Sequence, residues 1–194
     1  MRSPRSCPTY TPSNRSGADG YDRAVKARLA AFAAALAGSA ILGVAAGLIW
    51  AAVAPRALLQ EVGHGEAQLV NPESTAYILA DAWFSLTAAI GGAITGIAGY
   101  RLLVRRAGWT AAAGLVLGAV AASLLMLWTG ENIGLGTYHH LLAVSADGVF
   151  FHASLALGAK SALAFWPGLT SLIVLLAEYG GRRPASEEAL LSVD

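Results

Sequence analysis

Four stretches without a single charged side chain divide this chain: residues 29–54, 82–100, 107–130 and 161–177. A helix of about 20 apolar residues crosses a hydrocarbon core roughly 30 Å thick. Inside that core every backbone amide and carbonyl must be satisfied by the structure itself, which leaves helices or closed barrels. Barrel strands alternate apolar and polar residues, and these runs do not. The expected fold class is an all-α membrane protein, a four-transmembrane-helix bundle with a small extracytoplasmic α/β cap formed by two loops. The spans are placed at 29–54, 82–104, 107–130 and 161–179, in one domain over 23–180, with outer loops 55–81 and 131–160. Composition agrees, since only 13% of the 194 residues are charged, about half the share in a typical soluble domain. A net charge of +1 offers no basic surplus for a nucleic-acid partner. The lone cysteine, Cys7, excludes an intrachain disulfide and a cysteine metal cluster.

Basic residues set the orientation. Eleven lie in the N-terminal tail, the connection between spans two and three, and the C-terminal tail; only Arg56 and Lys160 lie on the other side. By the positive-inside rule both termini are cytoplasmic, in the cytoplasmic membrane. Trp50, Trp83 and Trp128 fall near the outer boundary, and Tyr100, Trp109 and Tyr179 near the inner one, as an aromatic belt. Trp166 lies inside span four and is expected to pack against a neighbouring helix. Ala52-Val53-Ala54 has the form of a signal-peptidase site, but its apolar run of 26 residues exceeds the usual core of about 7–15.

Residues 1–22 are rich in Ser, Pro, Thr and Arg and read as a disordered tail, and residues 181–194, with Glu187 and Glu188, read as a cytoplasmic tail with a solvated polar end. In the first outer loop, 56–61 and 66–70 flank Gly63-His64-Gly65 and read as a hairpin. In the second, 138–146 reads as a short helix and 149–157 as a third strand that joins the hairpin.

Small residues recur every four positions, on one face of each of three spans: Ala35, Ser39, Gly43 and Gly47; Ala88, Gly92 and Gly96; Gly114, Gly118 and Ala122. Such stripes either pack the bundle internally or dock a second copy or another subunit. Pro167 removes a hydrogen bond to the carbonyl of Leu163 and is expected to kink span four. No ionisable group stands in the central part of any span, which weighs against ion-coupled transport. Asp81 reads as the cap of span two. Lys160 opens span four, where the helix dipole disfavours a cation, so an Asp81–Lys160 ion pair or a lipid phosphate is expected to compensate it. Glu178 is placed to pair with Arg182. His64, His139, His140 and His152 share the outer loops with Glu131 and Asp147, without the spacing of a metal site. Gly158-Ala-Lys160-Ser161 lacks the glycines of a phosphate loop, and no hydrolase motif occurs.

Three segments, Trp50-Ala-Ala-Val-Ala-Pro-Arg56, Ala80-Asp81-Ala-Trp-Phe84 and Leu157-Gly-Ala-Lys160-Ser-Ala-Leu-Ala-Phe-Trp-Pro167, resemble a family of small four-span actinobacterial membrane proteins catalogued as a domain of unknown function. The resemblance covers about residues 28–180 and departs at Ala82, where glycine is common in the family. It implies a fold and a cytoplasmic-membrane location in a high-GC bacterium, and no mechanism. The expected role is a non-enzymatic accessory or scaffold subunit of an envelope or membrane complex, with no cofactor. Its expected partners are membrane lipid and a membrane protein or a second copy. Small-molecule or lipid binding by an oligomer, and an enzyme using the outer His and acidic residues, are the alternatives.

Overall fold

A computed structural model of the chain describes residues 15–63, 66–71, 75–136, 140 and 149–181. The apolar runs become helices α1 (Arg15–Val53), α2 (Ala76–Gly99), α3 (Trp109–Asn132) and α4 (Phe165–Gly181). A π-helical turn, Tyr100–Val104, and a last α-turn, Arg105–Ala107, prolong α2. Gly108, at φ +69°, then takes a backbone conformation open almost only to glycine and turns the chain into α3. A 3₁₀ turn, Lys160–Ala164, leads into α4. Counted with these extensions, four helices are long and apolar enough to cross a membrane.

Two helices start earlier than expected. Residues 15–22 belong to α1, although Gly17 and Gly20 are among the weakest helix formers. α2 begins at Ala76 rather than 82, because Tyr77, Ile78 and Leu79 extend its apolar face ahead of Asp81. The tail residues 1–14 and 182–194, with Cys7 and Arg182, lie outside the described residues, as do the turn 64–65 and most of the helix expected over 138–146.

Side-chain size is distributed inside out. Leu48, Ile49, Ile90, Ile94, Leu124, Leu172 and Leu175 point outward and are exposed, whereas the buried faces are rich in Gly, Ala, Ser and Thr. Water would drive the large apolar groups inward. Lipid provides no such drive, and small interfacial residues allow backbones to touch. The small-residue stripes are used in this way within the bundle. A Cβ on Gly43 would stand 2.5 Å from the carbonyl oxygen of Ala122. Gly47 meets Met126 and Thr129, Gly114 meets Phe32, and Gly118 meets Ser39, so that α1 and α3 form one pair. Gly92 lies against the backbone of Trp166 and Gly96 against Ile173, so that α2 and α4 form the other. Ser39 donates its hydroxyl to the carbonyl of Ala35 one turn back, at 2.8 Å.

Pro167 is the third residue of α4. In the first turn of a helix a missing amide costs little, and the irregularity expected there takes the form of the preceding 3₁₀ turn instead of a break in mid-helix.

The connections between α1 and α2 and between α3 and α4 form a three-stranded antiparallel sheet of β1 (Leu58–Gly63), β2 (Glu66–Leu69) and β3 (Phe150–His152), in the order β2–β1–β3. Leu59 opposes Leu69 on one side and Phe151 on the other, over a small core shared with Ala57 and Ala153. The third strand is shorter than the expected 149–157. After Ala153 donates to the Ala57 carbonyl at 2.8 Å, residues 154–157 lie outside the sheet.

Gly43→Leu is expected to force α1 from α3 and cost at least about 1–3 kcal/mol. Gly38→Ala faces open space and is expected to be neutral or to stabilise by up to about 1 kcal/mol. Thermal unfolding of both variants in detergent, followed by tryptophan fluorescence, checks the contrast.

Candidate functional site

Trp50 ends the apolar run of α1, at a depth where a belt residue is expected to face the interface. It is fully buried instead. A buried indole needs a partner for its N–H, and Trp50 donates Nε1–H to the carbonyl of Ala80 in α2 at 2.9 Å. Its ring meets Phe84 edge-on, with centroids 5.0 Å apart and planes at 84°. Gly130 of α3 leaves room for the indole, since any Cβ there would collide with it. One side chain thus binds three helices at the end of the bundle nearest the sheet. Trp83, Trp128, Trp109 and Tyr179 are exposed, as a belt requires. Trp166 is buried between helices as expected and donates to Thr95 Oγ1 at 3.3 Å; Thr170 donates to the Gly92 carbonyl at 3.1 Å.

Residues 153–157 keep a strand's alternation of burial. Ala153, Leu155 and Leu157 are buried, and Leu155 and Leu157 enter the same core as Trp50, Phe84, Met126 and Trp166. Outside a sheet, the amides of such a segment need acceptors from elsewhere. Two carboxylates provide them. Glu131, at the end of α3, accepts from Leu157 N–H through Oε1 at 3.1 Å. Asp81 accepts from Gly158 N–H through Oδ1 at 3.0 Å and from Ala159 N–H through Oδ2 at 2.8 Å.

Asp81 therefore binds the two amides just ahead of the fourth span and does not cap its own helix. α2 begins five residues earlier, after Thr75, which makes no side-chain cap bond. The carboxylate instead faces the amides that open the fourth span, where a negative charge complements the dipole. No ion pair joins Asp81 to Lys160 among the described residues. Both carboxylate oxygens are engaged by backbone amides, and Lys160 is exposed. Arg56 donates to the Ala51 carbonyl at 3.3 Å and so complements the C-terminal end of α1.

The arrangement is a latch: Trp50, Asp81, Phe84 and Glu131 fix a plug of chain, 153–159, at the end of the bundle nearest the sheet. Its Trp50, Asp81–Phe84 and Leu157–Trp166 segments come from three parts of the chain, and the fold brings them together. Glu131 was legible only as one acidic loop residue; its place just beyond an apolar run, like that of Asp81, is the signal that marks it as a counterpart. Among the described residues no three His, Cys, Asp or Glu side chains converge. His140 and His152 are exposed, and His64, His139 and Asp147 lie outside the described residues. No protein-family model, no curated protein and no solved structure matches this chain.

Asp81→Ala is expected to strip two amides of their acceptors and cost about 1–3 kcal/mol, read as a lower melting temperature and faster amide exchange at 158 and 159. Lys160→Met is expected to change neither.

Proposed function

We propose that this chain is a multi-pass protein of the cytoplasmic membrane, both termini cytoplasmic, that serves as a non-enzymatic accessory or scaffold subunit. Its outer sheet is the platform on which a membrane or cell-envelope partner docks. The observation that carries this reading is the sheet's outward face. Leu58 and Phe150 are exposed there beside Gln60, Gln68 and His152, while the neighbouring Leu59 and Phe151 are buried beneath. An apolar patch rimmed by polar groups, held on a latched base, suits recognition by a protein. Eleven basic residues against two support the orientation. The filled bundle centre, where Trp50, Phe84, Met126 and Trp166 are fully buried, weighs against passage of a solute, the alternative reading. The resemblance to the actinobacterial family agrees with the location.

A photo-crosslinking residue at position 150, in native membranes, is expected to capture one partner reproducibly. The same residue at Leu175, on the outward face of α4, is expected to capture lipid only. Phe150→Ser is expected to weaken copurification of that partner. A strictly monomeric chain with no crosslinked partner overturns the proposal.

A further inference from the structure

The end of the bundle opposite the sheet carries a groove of about 700 Å³ between α1 and the end of α2. Arg28 enters it from α1, and Arg105 and Arg106 enter from the turn after the π-helix. Its apolar walls include Ala31, Leu102 and Leu103. All three arginines are exposed. They also share a level, because Arg28 immediately precedes the first charge-free run, and Arg105 and Arg106 immediately precede the third. That is the depth at which hydrocarbon gives way to phosphate. Guanidinium groups bind phosphate oxygens in pairs of hydrogen bonds, and the leucines below offer a surface for acyl chain. The groove's size is that of a ligand site.

The backbone supplies an independent observation. The π-turn Tyr100–Val104 is a rare form that recurs at functional sites. Tyr100 fastens it to α4 by donating its hydroxyl to the Ala177 carbonyl at 3.2 Å. Beyond it, Arg105 lines both this groove and a second one of about 440 Å³, shared with Arg101 between α2 and α4.

We infer that the groove is a binding site for an anionic phospholipid, its phosphate held by Arg28, Arg105 and Arg106 and one acyl chain lying along Leu102 and Leu103. Basic pockets between spanning helices recognise acidic headgroups in this way. The inference requires the bundle to stand in a bilayer and is independent of what docks on the sheet.

Native mass spectrometry of the purified full chain, offered phosphatidylglycerol and phosphatidylcholine at equal concentration, tests it. The expected result is at least about a tenfold preference for phosphatidylglycerol, abolished in the triple variant Arg28→Gln, Arg105→Gln, Arg106→Gln. A diazirine-bearing phosphatidylglycerol, used on the unaltered protein, is expected to label residues 24–31 and 102–108; this arm does not depend on the variant folding. Equal retention of both lipids, or label confined to other segments, overturns the inference. So does thermal stabilisation by inorganic phosphate equal to that by the lipid.

Discussion

The structure depends on how closely two backbones can approach in a medium that does not press them together. Lipid is as apolar as leucine, so association of these helices rests on dispersion contacts between main chains. Gly43 against Ala122 and Gly92 against Trp166 are the points where this is most visible. The large aliphatic groups that would form the core of a soluble bundle are left outside. What remains for the interior is small residues, a few aromatic rings that fill the spaces next to glycine, and hydroxyls that, Thr129 excepted, bond to nearby backbone or side-chain groups.

Two helix pairs result, α1 with α3 and α2 with α4, and each is joined along its length by small residues. Joining the pairs to one another requires different chemistry. Near the sheet it is done by Trp50, which reaches from α1 to α2, and by the plug, which α2 and α3 hold through one carboxylate each. Near the basic end it is done by packing of Leu115 and Ala111 of α3 with Val104 and Val174. The polar tie and the aromatic ring both stand at the sheet end, where water can meet the half-buried Asp81 and the charge need not be desolvated completely.

The helices and their order were legible because charge-free runs of this length have one structural outcome. The small-residue stripes were legible as faces, but not the partner of each face, because four-residue spacing does not encode which helix lies opposite. The Asp81–Lys160 pair shows a different limit. The dipole argument correctly identified an end of a helix that wants negative charge, and correctly named Asp81 as near it. It chose the wrong donor, because backbone amides at a helix start compete with an ammonium group that can extend into solvent. Trp50 was misplaced for a similar reason. Depth alone suggested a belt, and only the gap left by Gly130 and the free face of the Ala80 carbonyl show that the ring turns inward. The basic groove was not read as a site at all, since its arginines come from two distant segments and already served the orientation argument.

The order of the strands has a consequence for biogenesis. The hairpin β1–β2 leaves the membrane between the first and second helices, but the residues that cover Leu59 and Ala57 are Phe151 and Ala153, about ninety positions later in the chain. Closing so long a loop is entropically slow unless the intervening helices bring its ends together. The sheet is therefore completed only after the third helix has crossed and the chain has returned to the same side. An unfinished or misinserted chain would present a bare hairpin. The complete sheet thus exists only in molecules whose last two helices have been made and inserted, and any ligand that required all three strands would meet finished molecules alone.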